Sequence, residues 1–480
     1  MRILLEFISE QSSVHRARLE YAFRLFCAIY GHEPGVGSTR DSSADAMLTY
    51  ARNCSHPHAV CLTNGYVIRP TRQPAPEPIV FARDGEATVL FYNPLPGLEP
   101  DWLAEIFEWA SCADEYSIKD RDAVGRIAFP SSFVGRYKLN PRLPYAAVAM
   151  RFLQSAIARG NPRCSLGPRS PVQSQHHFVV NTHDVDFLPM RRRDSCYRLT
   201  KNAALSLLQY KSPKTASTRA MRAVAITFGA RDPLDQVLRL AHEEHKQGVT
   251  ASYYFLPRKS HRRDGNYSID DPTTVAVMKT LRESEEMEVG VHGSYCSLDE
   301  PDGLAAEFDR LRELGFNPMG SRQHWLRFTI PQLLRALKCA GAAYDCSIAW
   351  PDEPGFRAGT CFAFPPYDFE REASAGFLEI PLVIMDRALL NSKTKDGDGV
   401  AAVSEVLAAT RRYGWGGVSV LWHPTAFGGG QYPRHLGDAF WNLLDEGRER
   451  SETWLSAASF TREVWQRYAD AGLLPARRLQ

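Results

Sequence analysis

The sequence predicts an α/β protein built around a parallel barrel, with a smaller α+β domain before it. Three observations carry this. The chain has 480 residues, too long for one ordinary core. The stretch 161–175 is rich in Pro, Gly, Ser and Gln and reads as a linker that few contacts cross, placing domains at 1–165 and 172–480. Beyond it, seven strand-like runs alternate with helical ones, the pattern of a parallel sheet covered by helices.

In chain order, Ile3–Ile8 is the first strand run. Glu6 breaks its apolar stretch and no small-residue cleavage site follows, so it is read as a strand and not as a signal peptide. Ala59–Leu62, Ile79–Ala82 and Thr88–Tyr92 add β-like runs, and Trp102–Cys112 and Tyr145–Ala158 are helical, an α+β mixture to which no chemistry attaches. After the linker the strand runs are His177–Thr182, Ser252–Leu256, Glu288–His292, Met319–Trp325, Ala343–Cys346, Phe377–Met385 and Val418–Trp422. Asp232-Pro233 opens one intervening helix, with Leu234, Val237, Leu238 and Ala241 on one face and Gly248 at its end. Another carries Leu304, Phe308, Leu311 and Leu314 and stops at Gly315. Periodicity leaves a doubly wound open sheet as the alternative to a barrel.

Composition narrows the class. With 44% hydrophobic and 23% charged residues the chain is that of a soluble globular protein. A formal charge of +2 gives no argument for nucleic acid or an anionic membrane. No apolar run approaches the ~18 residues needed for a membrane span. Ten cysteines without a C-x-x-C pair read as reduced thiols in a cytoplasmic protein.

A parallel barrel places its chemistry at the C-terminal ends of its strands. Four of the runs end in polar clusters. Thr182-His183-Asp184-Val185-Asp186 sets two carboxylates one residue apart, so that one can bind a cation while the other takes a proton. Val291-His292-Gly293-Ser294-Tyr295 and Leu421-Trp422-His423-Pro424 each end a strand on histidine, the residue type that ligates zinc-like metals. Ser321-Arg322-Gln323-His324-Trp325 adds a third histidine beside arginine and indole. A lone strand-end histidine or aspartate is more often structural; the concentration of them at matching ends is what signals a site. Arg191-Arg192-Arg193 reads as a solvated loop, or as a rim that attracts an anionic glycan or nucleotide sugar. His176-His177 read as structural, and Gly428-Gly429-Gly430 as a rim loop without the surroundings of a phosphate cradle.

In this order the motifs resemble the NodB homology domain of polysaccharide deacetylases, carbohydrate esterase family four, over about residues 175–470. The resemblance implies a distorted (β/α)7 barrel and a divalent metal, zinc by ligand type, with cobalt or nickel as alternatives. It implies removal of the N-acetyl group from an N-acetylated sugar, glycan or glycan precursor. By that likeness Asp184 is the general base, Asp186 and His292 are metal ligands, and His423 is the general acid. The chain departs from the family at three points. Val185 separates aspartates that are commonly adjacent, Cys296 stands where a second histidine is usual, and the R-x-P-aromatic segment reads Arg322-Gln323-His324-Trp325. The third ligand is then assigned to His324, giving an Asp-His-His site with one open position, and Cys296 as thiolate is the competitor.

The segments Gly355–Thr360 and Pro365–Asp368 resemble a bacterial subgroup whose N-terminal domain ends in residues like Glu115-Tyr116, Asp122 and Gly125-Arg126-Ile127. That likeness makes residues 1–165 an accessory domain. Arg357, beside Gly359 and an aromatic-proline loop, is expected to contact substrate or to orient Asp184. Two other functions stay open: an amidohydrolase using the same site on a non-carbohydrate amide, and an inactive glycan-binding protein. Cys296 favours the inactive reading; Asp184 and His423, needless for binding alone, oppose it. The oligomeric state is not readable.

Overall fold

The computed structural model describes residues 1–7, 11–37, 44–50, 58–64, 73–161, 177–189, 192–208, 213–391, 399–414, 416–428 and 435–476. Most of the expected linker, His176, Arg191 and residues 429–430 lie outside the described residues.

The N-terminal part opens with β1 (Arg2–Glu6), α1 (Ser13–Tyr30), β2 (Glu33–Val36), β3 (Ala46–Thr49) and β4 (Ala59–Cys61). These strands pair in parallel in the order β2-β1-β3-β4. This parallel layer is a β-α-β arrangement, where the sequence pointed to segregated helices and strands. An antiparallel pair, β5 (Ile79–Arg83) and β6 (Glu86–Leu90), follows with α2 (Trp102–Ala110), α3 (Phe133–Arg136) and α4 (Tyr145–Gly160). Helix α1 has no sequence-level forecast because its apolar residues do not form a stripe. Leu19, Ala22, Phe23, Leu25, Phe26 and Ile29 are all buried, so the helix is enclosed on several sides. Its ends are conventional: Ser12 accepts from His15 N–H, and Gly31 takes the left-handed conformation.

The C-terminal part runs β7 (Phe178–Val185), α5 (Arg192–Leu208), α6 (Pro213–Thr227), α7 (Val237–Lys246), β8 (Ser252–Phe255), α8 (Pro272–Ser284), β9 (Glu288–Gly293), α9 (Gly303–Glu313), β10 (Gly320–Gln323), α10 (Ile330–Ala340) and β11 (Tyr344–Asp345). A small hairpin of β12 (Tyr367–Asp368) and β13 (Ala373–Ser374) leads to β14 (Leu378–Glu379), β15 (Leu382–Met385), α11 (Asp386–Asn391), α12 (Gly399–Tyr413), β16 (Gly416–Leu421), α13 (His435–Glu449), β17 (Thr453–Leu455) and α14 (Ala457–Asp470). All seven expected strand runs are occupied by strands, with two adjustments. Phe377–Met385 is two short strands broken at Ile380-Pro381, since proline cannot donate to the ladder. The helix expected from Asp232-Pro233 is a turn over residues 233–236, with Asp232 accepting from Leu234 N–H, and becomes regular at Val237.

The large sheet is parallel throughout, in the order β14-β11-β10-β9-β8-β7-β16-β15, with β17 beside the first half of β7. Its two ends, β14 and β15, are separated in the chain only by Ile380-Pro381. The strand order therefore comes round to its own start, the connectivity of a (β/α) barrel and not of an open doubly wound sheet. Tyr254 and Tyr344 fill the interior, their hydroxyls 3.2 Å apart, and a β-carbon at Gly290 or Gly320 would collide with those rings. No helix of the described residues is long and apolar enough to cross a membrane.

The two parts of the chain share one apolar core, running from Ile3 through Trp102 and Phe107 to Tyr367 and Leu474. Polar contacts cross between them as well. Arg18 pairs with Glu372, Tyr21 Oη donates to Pro365 O at 2.7 Å, and Arg357 makes a two-point ion pair with Glu115 at 2.6 and 2.7 Å. A fragment of residues 171–480 should therefore be insoluble or lack cooperative unfolding, because it exposes that shared apolar surface. In the whole chain, Glu115→Ala strands the buried Arg357 cation and should destabilise by about 3–5 kcal/mol, read as a lower unfolding midpoint.

Candidate functional site

Side chains of a strand alternate between faces. In β7, Thr182 and Asp184 point into the barrel and both receive Nη1 of Arg322, at 2.7 and 3.1 Å. His183, between them, points outward and bonds Glu244 of α7 at 2.8 Å. Asp186, two residues on, continues the inward face. The spacing of one intervening residue is what sends both carboxylates to the same mouth; adjacent positions on this strand would have faced opposite ways.

His292 is the penultimate residue of β9 and His324 follows β10 directly. The Nδ1 of His292 lies 2.9 Å from the carbonyl of Arg322, and that of His324 lies 3.3 Å from the Asp264 carboxylate. These bonds fix both rings with Nε2 inward. The buried Oδ1 of Asp186 lies 3.4 Å from His292 Nε2 and 3.2 Å from His324 Nε2. Among the described residues these three present donor atoms that all lie within 4.8 Å of one another. A buried set of one carboxylate and two imidazoles, each held from behind, fits a divalent metal ion.

Asp264 is held by the N–H groups of Ser260, His261 and Tyr295 and lies beside His324. Burial opposes its charge, but those bonds and His324 outweigh it and pull its pKa down to about 2. Gly265 beside it has no side chain because its backbone lies against Asp186 O, where a β-carbon would clash. Burial also disfavours a charge on His324, yet Asp186 and Asp264 prevail and push its pKa up to about 9. For Asp184, burial would raise the pKa, but His292 and Arg322 hold it below the ordinary carboxylate value.

On the far side stands His423, two residues past β16. Its Nδ1 bonds Asp386 at 2.7 Å and its own N–H donates to the same carboxylate at 2.9 Å. Burial lowers the imidazole pKa, Asp386 raises it more, and the net shift is upward. Nε2 of His423 lies 3.8 Å from Asp186 Oδ2, which Arg387 also approaches at 3.4 Å. A cavity of about 170 Å³ opens over this group, with Trp325, Met385 and Arg126 in its walls. Trp325 and Leu326 take positive φ, 64° and 52°, a strained backbone for non-glycine residues. Arg126 of the N-terminal part holds that turn by donating to Trp325 O at 2.9 Å. A larger cavity of about 520 Å³, bounded by Arg239, Phe427 and Trp441, contains none of these residues.

Two expectations need correction or completion. Arg357 does not reach this site: its hydrogen bonds go to Glu115 and to Ala349 O, and Arg322 is the arginine that grips Asp184. Cys296 is half-buried and outside the converging donor set, where Asp186, His292 and His324 meet. Of the calls at the rim, the exposed Arg193 is described while Arg191 is not. Sequence reasoning missed Asp264, Asp386, Arg387 and the inward role of Arg322. Asp386 had a signal, for it stands one residue past a strand of the barrel, as the recognised residues do. Asp264 lies in a loop with no such marker.

If these three residues bind the ion, His292→Ala and His324→Ala should each lose most bound metal, while Cys296→Ser keeps it, as metal analysis of purified protein would read. The ion must also displace a proton from His324, whose pKa lies at about 9. Affinity should then fall about tenfold for each pH unit below that value, and calorimetry in buffers of different ionisation heat should find about one proton released at pH 7. No protein-family model matches the chain, and no curated protein matches it, so what the site does must be argued from its geometry.

Proposed function

We propose that the protein is a metal-dependent hydrolase that removes the N-acetyl group from an N-acetylated sugar, in a glycan or glycan precursor. In this reading the barrel is of the NodB-like (β/α)7 kind and residues 1–165 form an accessory domain. One observation carries it: Asp184 and His423 flank the Asp-His-His group in a single cavity, each fixed by an oppositely charged partner.

A divalent ion held by Asp186, His292 and His324, zinc by donor type with cobalt or nickel as alternatives, supplies Lewis acidity to an amide carbonyl and to water. Asp184, kept ionised by Arg322, takes the proton of the attacking water. His423, its proton affinity raised by Asp386, gives a proton to the departing amine, which is a poor leaving group as an anion. A cavity of about 170 Å³ is below the usual size of a whole-ligand pocket and suits an acylated end of a larger molecule. The Trp325 ring offers an apolar face for a sugar, while Gln323, Arg126 and Arg387 offer hydrogen-bond donors to its hydroxyls.

The test is release of acetate from N-acetylated sugars, oligosaccharides and nucleotide sugars with zinc, cobalt or nickel added. Asp184→Asn and His423→Ala should keep their metal and lose about 10²–10⁴-fold in turnover; wild-type turnover in both would remove the proposed mechanism. The rate should fall at low pH as Asp184 protonates, below the ordinary carboxylate range, and at high pH as His423 deprotonates, above 6.5. Asp386→Asn takes away the charge that raises His423, so its alkaline limb should move to lower pH.

A further inference from the structure

Helices α5 and α6 form an arm inserted between β7 and β8, six residues after Asp186. The arm packs mainly on itself, through a small cluster of Leu199, Ala223 and Ile226 that is separate from the main core. Asp232 anchors it through Ser195 and Arg198, and Arg222 reaches Gly428 O at 3.3 Å, five residues after His423.

Its outer surface is unlike the rest of the protein. Of the eleven large apolar side chains exposed among the described residues, six are on this arm: Tyr197, Leu207, Leu208, Met221, Val224 and Phe228. Phe228 is 86% exposed and Leu208 is 79% exposed. They are also ordered. Met221, Val224 and Phe228 recur at helical spacing, opposite the buried Ala216, Ala223 and Ile226. Tyr197 and Leu208 likewise share a face of α5 opposite the buried Leu199 and Ala203. Over residues 191–231 there are ten Lys or Arg and one acidic residue, Asp194, in a chain whose whole formal charge is +2. The near-neutral total hides a strongly basic segment.

We propose that the α5–α6 arm docks on an anionic lipid surface through the outer face of α6, with Met221, Val224 and Phe228 in the headgroup region and the exposed Arg231 against the lipid phosphates. Ordered apolar stripes on helices rich in Lys and Arg are the features that let a helix lie in a membrane interface. A second copy of this chain is a poorer occupant, because it would bring the same positive charge to the contact. A nucleic acid would meet the cations but leave Phe228, Leu208 and Met221 without a partner. Since the arm is rooted between Asp186 and the loop after His423, docking holds the mouth of the cavity at the lipid surface.

The test is co-sedimentation of the full-length protein with vesicles of phosphatidylcholine alone or with about 30 mol% phosphatidylglycerol. The protein should bind the anionic vesicles at least about tenfold more strongly than the neutral ones in ~0.1 M salt, and less strongly in ~0.5 M salt. A Met221→Ser, Phe228→Ser double variant should lose about tenfold or more, and Arg231→Glu roughly fivefold or more. All three side chains are exposed, so circular dichroism should show an unchanged fold. Absence of a preference for the anionic vesicles, or wild-type binding by the double variant, overturns the proposal. So does a wild-type dimer that Phe228→Ser converts to monomer, which would give the face to a second copy.

Discussion

The guanidinium of Arg322 is the constraint around which the barrel and its site are organised. It is fully buried, and from β10 it reaches Cys346 O beyond β11, Thr182 and Asp184 on β7, and Ser419 on β16. The ring of Tyr254 lies 5.0 Å beneath it. Burying a cation without partners costs several kcal/mol, so a barrel containing Arg322 is stable only when those strands stand in one register. The same bonds place Asp184 and keep it ionised. Fold and site meet in one side chain: what satisfies the charge in the core also fixes the Asp184 carboxylate at the mouth.

Much of the site was legible because strand ends are legible. Asp184, Asp186, His292 and His423 follow apolar runs, His324 closes the polar strand end Ser321-Arg322-Gln323, and a parallel barrel gathers such ends into one place. The choice between Arg357 and Arg322 was not legible from neighbouring residues. Arg357 sits beside glycine and aromatic residues, which suggested a functional loop, but that loop turns to pack on the N-terminal part and its charge is spent on Glu115. Arg322 could have been placed by the two-residue alternation of β10, which puts it on the same face as Gly320, where no side chain fits beside Tyr344. Helix α1 was invisible for a different reason: periodicity reports helices with one wet face, and α1 is enclosed. The crossing contacts between the two parts are pairings of residues hundreds of positions apart, and no local pattern encodes them.

The N-terminal part enters the site through Arg126. This residue is braced by Asp122 at 2.8 Å, donates to Trp325 O, and lines the cavity. It thereby secures a strained turn that directly follows His324. The shared core and this turn make the N-terminal part a structural component of the cavity wall.

The seam of the barrel has a consequence of its own. Pairing between β11 and β14 spans two residue pairs, as does that between β10 and β11, so the ring is thinnest just before Pro381. Asp184 and the three converging donors come from β7, β9, β10 and the residues that follow them, on one side of that seam. His423 and Asp386 come from β15 and β16, on the other. A partial opening at the seam would still leave His423 beside Asp184 and Asp186, because β16 keeps its five residue pairs with β7. On warming, the closure of the ring would therefore be lost before the residues around the cavity part from one another, since those are joined by the longer ladders of β7 with β8 and β16.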